Sequence, residues 1–228
     1  MIMNEQVVSR SLTDINNCFS KVLLDSNIEI VNNVASWKDY KPGIDKGFAY
    51  AAVYQRLIDN RQYSFLLNDN SFFQFFFEWE YHQLKKAKLA FYPTPVKISG
   101  ALSSLLESAE LSGVDLLEEL YFGAEAWVTR GIDIVNTSYL RLDYDSDVTS
   151  HSKCHIQIAS INELRITSQY LINPFNFFSW ITEHLKLKNF DTIQASQGYQ
   201  NATNYHKMRN HEFQIAKTTF PFLSSLNI

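Results

Sequence analysis

One stretch, SFFQFFFEWEYH at residues 71–82, restricts this chain more than any other. Phe73, Phe75, Phe77, Trp79 and Tyr81 fall at every second position. Successive side chains of a strand point to opposite faces, so these rings share one face. Gln74, Glu78, Glu80 and His82 fall on the other face, together with Phe72 and Phe76. One side of the strand is therefore core and the other partly wet. QYSFLL and the turn residues NDN precede it, which reads as a hairpin. A turn at QLKK leads into AKLAFYP, a third strand ended by Pro93.

Helices are interspersed among such strands. Leu12, Ile15, Phe19, Val22 and Leu23 recur at helical spacing, with Ser11 and Asp14 placed like a capping box. SNIEIVNNVASW reads as extended, followed by a polar turn around Pro42 and Gly43, and YAAVYQRLID fits a helix or a strand. GALSSLLESAEL and VDLLEELYFG read as helices. IDIVNTSYLRLDYD and KCHIQIAS read as strands joined by SDVTS. Pro174 suits the first turn of a helix whose stripe holds Phe177, Phe178, Ile181 and Leu185. NFDTIQASQGYQNATNY reads as a polar loop, and the tail fits helix or strand. Runs of strands with short turns and no βαβ order predict an α+β fold, an antiparallel sheet with helices packed on one face. The whole of 1–228 reads as one domain, with 190–228 as a candidate appendage.

Composition narrows the function classes. A net charge of −4 is too mild for a protein that coats nucleic acid, yet it leaves room for a local basic groove. The two cysteines, Cys18 and Cys154, lie far apart and match no zinc spacing, which fits a reducing cytoplasm. The N-terminus lacks the apolar core of a signal peptide, and no run reaches the roughly 18 apolar residues of a membrane span. The glycosylation-like triplets at Asn136 and Asn201 are then chance matches. No phosphate-binding loop, dinucleotide fingerprint or nucleophile elbow occurs, so no cofactor is expected.

The chemistry concentrates in YLRLDYDSDVTSHSKCHIQIASINELRI, residues 139–166. Leu140, Leu142 and Tyr144 point one way, and Arg141, Asp143 and Asp145 the other. Cys154, Ile156 and Ile158 form the apolar set of the second strand, while Lys153, His155 and Gln157 form its polar set, with His151 in parity. Pairing with apolar faces aligned puts Arg141, Asp143, His155 and Gln157 at the centre of one face, His151, Lys153 and Asp145 near the turn, and Arg165 within reach. Two histidines with arginine suit phosphodiester cleavage, one His as base, one as acid, and Arg on the developing charge. Asp143 would orient His155 as in a triad. Asp143, His151 and His155 as ligands of a divalent metal are a weaker fit, because His-x3-His suits a helical face better. Ordinary cross-strand ion pairing on a solvated face accounts for the same pattern without any function. His206 and His211 sit off the helical ligand spacing and read as surface residues, as do Lys207, Arg209 and Lys217. Cys154 reads as a buried, inert thiol.

Three features, in order, resemble a bacterial family, domain of unknown function 2290. They are YSFLLNDNSFFQFFFEW followed by LAFYPTP, LRLDYD followed by HSKCHIQI, and ELRI followed by NPFNFFSWI. The resemblance implies a cytoplasmic bacterial protein. Some members are encoded beside a helicase in phage-defence loci, so it also implies a helicase partner. Two functions fit. The first is a nuclease or phosphodiesterase effector of anti-phage defence, with His151, His155, Arg141, Asp143 and Arg165 as its site. The second is a non-catalytic adaptor or nucleic-acid-sensing subunit that binds the helicase through the aromatic strands and the C-terminal tail.

Overall fold

A computed structural model describes residues 3–43, 49–98, 132–158, 164–185, 187, 189–207 and 209–212. The two helices expected at 100–111 and 114–123 lie outside the described residues, as does Lys217. Helix α1 (Glu5–Cys18) is capped by Asn4, whose side chain accepts from the Val7 N–H at 2.9 Å. The expected start at Ser11 is therefore wrong by more than a turn. Ser11 sits in mid-helix and is fully buried, because the true cap lies upstream.

Strands β1 (Leu23–Ser26), β2 (Ile28–Val31) and β3 (Val34–Trp37) follow, then helix α2 (Tyr50–Asp59). The ambiguous YAAVYQRLID is thus a helix, with Tyr50, Val53, Tyr54 and Leu57 on its buried stripe. Next come β4 (Phe65–Leu67), β5 (Phe72–Glu80), β6 (Gln83–Tyr92), β7 (Val96–Ile98) and β8 (Ile132–Ile134). The remaining strands are β9 (Leu140–Asp145), β10 (Cys154–Ile158), β11 (Ile166–Thr167), β12 (Tyr170–Leu171) and, near the end, β13 (His211–Glu212). Helices α3 (Pro174–His184), α4 (Phe190–Gln194) and α5 (Gln197–His206) lie between β12 and β13.

The main sheet runs β1-β4-β5-β6-β9-β10-β11, every pairing antiparallel, with the β2–β3 hairpin joined through β3 to β5. The chain is an α+β protein. Alternation along β5 decides its two faces. Phe73, Phe75, Phe77 and Trp79 enter the main core, under α1 and α3, where Phe73 meets Phe178 at 4.4 Å. Phe72 enters a second, smaller core on the opposite face, with Tyr92 stacked at 4.7 Å and α2 above. That face is thus partly dry as well: Gln74 is 1 % exposed.

Other expectations need correction. Tyr81 is 89 % exposed, because the β5–β6 turn falls at Tyr81 and His82 rather than at QLKK. The run IDIVNTSYLRLDYD is two strands, β8 and β9, separated where Asn136 donates to the Thr94 carbonyl. Leu185 lies past the end of α3 and is exposed, leaving the stripe at Ile181. The polar segment at 190–206 is helical, not a loop. Phe190, Ile193 and Ala202 belong to the same core as β5, and Ser196 caps α5 by accepting from the Tyr199 N–H. Among the described residues, no helix is long and apolar enough to cross a membrane.

Candidate functional site: the polar face of β9 and β10

Strands β9 and β10 pair with His155 opposite Asp143 and Gln157 opposite Arg141. Leu142 and Cys154 go to the core, 2 % and 1 % exposed. Burial pushes the Cys154 thiol up to about 12, so it is no nucleophile at neutral pH. The opposite face gathers the polar set. Strand β6 extends it, with Lys88 opposite Asp143 and Lys86 opposite Asp145. Strand β11 closes it, with Thr167 opposite His155.

A continuous hydrogen-bonded relay runs across this face. The Arg141 Nε–H donates to Asp143 Oδ2 at 2.7 Å, and its Nη2–H to Gln157 Oε1 at 2.5 Å. The Gln157 amide nitrogen lies 3.1 Å from His155 Nε2, and His155 Nδ1 lies 3.2 Å from the Ser152 carbonyl. A carbonyl only accepts, so Nδ1 carries the proton, and Nε2 accepts from Gln157. Burial pushes the His155 imidazole below its ordinary value, against the pull of Asp143, while His151 and Arg165 push it further down. Neutral His155 fits the relay. Burial alone would lower the Arg141 guanidinium, but Asp143, with Tyr139 and Tyr92, outweighs it and holds it above its ordinary value.

The structure brings Arg141, Asp143, His151 and His155 together and leaves Arg165 exposed at the margin, one residue before β11. Their mutual geometry departs from the chemistry expected of them. Asp143 faces His155 Nε2 at 3.9 Å, not Nδ1, so it does not orient the ring as a triad carboxylate does. The lone pair a general base would use is already occupied by Gln157. The His151 and His155 rings pack edge to face at 4.8 Å, which leaves no gap for a phosphate between them. A metal fits no better: among the described residues, no group of three or more His, Cys, Asp or Glu side chains is placed to hold one.

A second polar cluster is one that spacing alone does not reveal. His206, expected at the surface, is fully buried. Its Nε2 donates to Asp14 Oδ2 at 3.0 Å, which also accepts from Arg10 Nε at 2.9 Å. Ser11 Oγ lies 3.4 Å from His206 Nδ1. The composition is that of a catalytic triad, but Ser11 and His206 are both 0 % exposed and no substrate reaches them. The cluster clasps α1 to α5. Its signal is present in the sequence as two polar residues, Ser11 and Asp14, on the apolar stripe of α1.

Of the surface expected for an adaptor, the aromatic face of β5 is turned inward, and the tail beyond Glu212 lies outside the described residues. Phe73, Phe75 and Phe77 are at most 1 % exposed, and Phe190, Ile193 and Ala202 join the same core.

A family described as "Uncharacterized conserved protein (DUF2290)" matches residues 15–220. No curated protein and no solved structure matches the chain.

Proposed function

We propose that the chain, which belongs to this family of uncharacterised conserved proteins, is a non-catalytic, nucleic-acid-engaging subunit that works beside a helicase in bacterial defence against phage. The helicase and the defence role rest on the family resemblance alone. The single observation that carries the non-catalytic reading is the closed relay. The three groups at the centre of this face that a phosphodiesterase would use are already engaged: Asp143 by Arg141, Arg141 by Gln157, and His155 Nε2 by Gln157. Such a network fixes side chains in place, which suits recognition, and denies a base its free lone pair.

Charge supports an anionic ligand. On the face formed by β5, β6, β9, β10 and the approach to β11, Glu80 is paired with Lys85 at 2.7 Å, and the other described residues include Lys86, Lys88, Arg141, Lys153 and Arg165 against Glu78, Asp143 and Asp145. Beyond the Lys85–Glu80 pair, five basic against three acidic side chains leave two positive charges here, on a chain whose net charge is −4. Polyanions are drawn to such a local reversal of sign.

Co-expression with a candidate helicase partner tests this reading. The expected result is a stable complex that retains nucleic acid and leaves it uncut. Arg141→Ala, which opens the relay, should weaken retention. A nuclease activity of the pair that His155→Ala abolishes, with the fold intact, would replace the non-catalytic reading by the catalytic one.

A further inference from the structure

The sheet registers align side chains into rows that cross the strands. One row runs Phe76 on β5, Lys88 on β6, Asp143 on β9, His155 on β10 and Thr167 on β11. Exposed rings sit at its β5 end and beside His155 on β10. At the β5 end, Tyr40 stacks on Phe76 at 4.8 Å and is 40 % exposed, its position fixed by Trp37 at 5.1 Å. At the β10 end, His151 packs edge-on against His155 and is exposed. Cations flank the row: Lys86, whose side chain is 45 % exposed and whose Nζ lies 3.9 Å from Asp145 Oδ2, with Lys153 and Arg165, both exposed.

We infer that this row is a track for single-stranded nucleic acid, laid across the strands from Tyr40 to His151. The inference rests on the reading above and specifies its ligand. Three interstrand steps of roughly 4.8 Å separate β5 from β10, about 14 Å in all, enough for a few nucleotides. Rings at the two ends offer π-faces to bases, and the flanking cations meet the phosphates between them. Only unpaired bases present free faces to such rings, so a duplex gains nothing from Tyr40 or His151. Gln157, Arg141 and Asp143 satisfy one another within the relay, which leaves recognition to stacking and charge and makes it tolerant of sequence.

Fluorescence anisotropy of the full chain with labelled oligothymidylate, oligouridylate and a mixed-sequence duplex tests the track. The expected result is tighter binding of the single strands, DNA or RNA, than of the duplex. Tyr40→Ala should weaken single-strand binding about ten-fold, while Tyr40→Phe keeps it. Lys86→Ala should lower the slope of log affinity against log salt by about 0.7, the loss of one phosphate contact. Duplex bound as tightly as single strand, with Tyr40→Ala behaving like wild type, would overturn the track and leave nucleic-acid engagement standing. No binding of any of the three at low salt would overturn both.

Discussion

His206 and Asp14 show what one buried pair contributes. The imidazole is fully buried and is held by a carboxylate from the other end of the chain. Removing the carboxylate strands two donors, His206 Nε2–H and Arg10 Nε–H, and the first of them has no solvent to turn to. Asp14→Ala should therefore cost about 2–3 kcal/mol, read as a lowered midpoint in urea with an unchanged slope. Acid should act in the same direction. Burial holds both His206 and His155 below the ordinary histidine value of 6.5. The unfolded chain then binds protons more readily than the folded one. Stability is complete above about pH 6.5 and falls as the pH drops through and below it. Arg10 and Arg209 push His206 further in this direction, and Asp14 opposes them. Urea midpoints between about pH 7.5 and 5 should show the decline, and His155→Gln should flatten part of it. A profile flat over that window would contradict the burial of both rings.

Elements differ in how openly the sequence declares them. Strand β5 is legible because nine residues repeat a period of two with aromatic rings on one side. The β9–β10 register is legible for the same reason, since only one pairing aligns Leu142 and Tyr144 with Ile156 and Cys154. Helices α4 and α5 are not. Their core contacts fall to Phe190, Ile193, Tyr199, Ala202 and His206, too few and too polar to mark a stripe. Helix α1 hides its start because Ser11 and Asp14 imitate a cap while serving as partners for His206. The β5–β6 turn hides its place because Tyr81 and His82 are poor residues for it. Both adopt positive φ, 48° and 62°, the left-handed region that Asn and Gly favour in tight hairpin turns. An asparagine in place of Tyr81 and a glycine in place of His82 would relieve that cost. The double variant Tyr81→Asn, His82→Gly should therefore gain about 1 kcal/mol in thermal or urea unfolding. A loss of stability would mean that the exposed Tyr81 ring makes contacts that the turn geometry does not reveal.

At the scale of the molecule, the sheet separates two tasks. One face, covered by α1, α3 and α5, holds the fold together through aromatic packing. The other is dry only under α2 and, beyond it, carries the polar rows of β6, β9 and β10. Parity alone places Arg141, Asp143, His155 and Gln157 on one face. It does not reveal the direction of their hydrogen bonds, because parity fixes a face and not the angle of a ring or an amide. On the reading proposed above, that direction separates a surface that holds nucleic acid from one that cuts it. The most direct measurement follows a labelled single strand in one sample, by anisotropy for binding and by denaturing gel for length. The account predicts a strand that binds, stays intact through prolonged incubation, and binds more weakly to Lys86→Ala and Arg165→Ala. A strand that shortens with wild-type protein and stays whole with His155→Ala would contradict it.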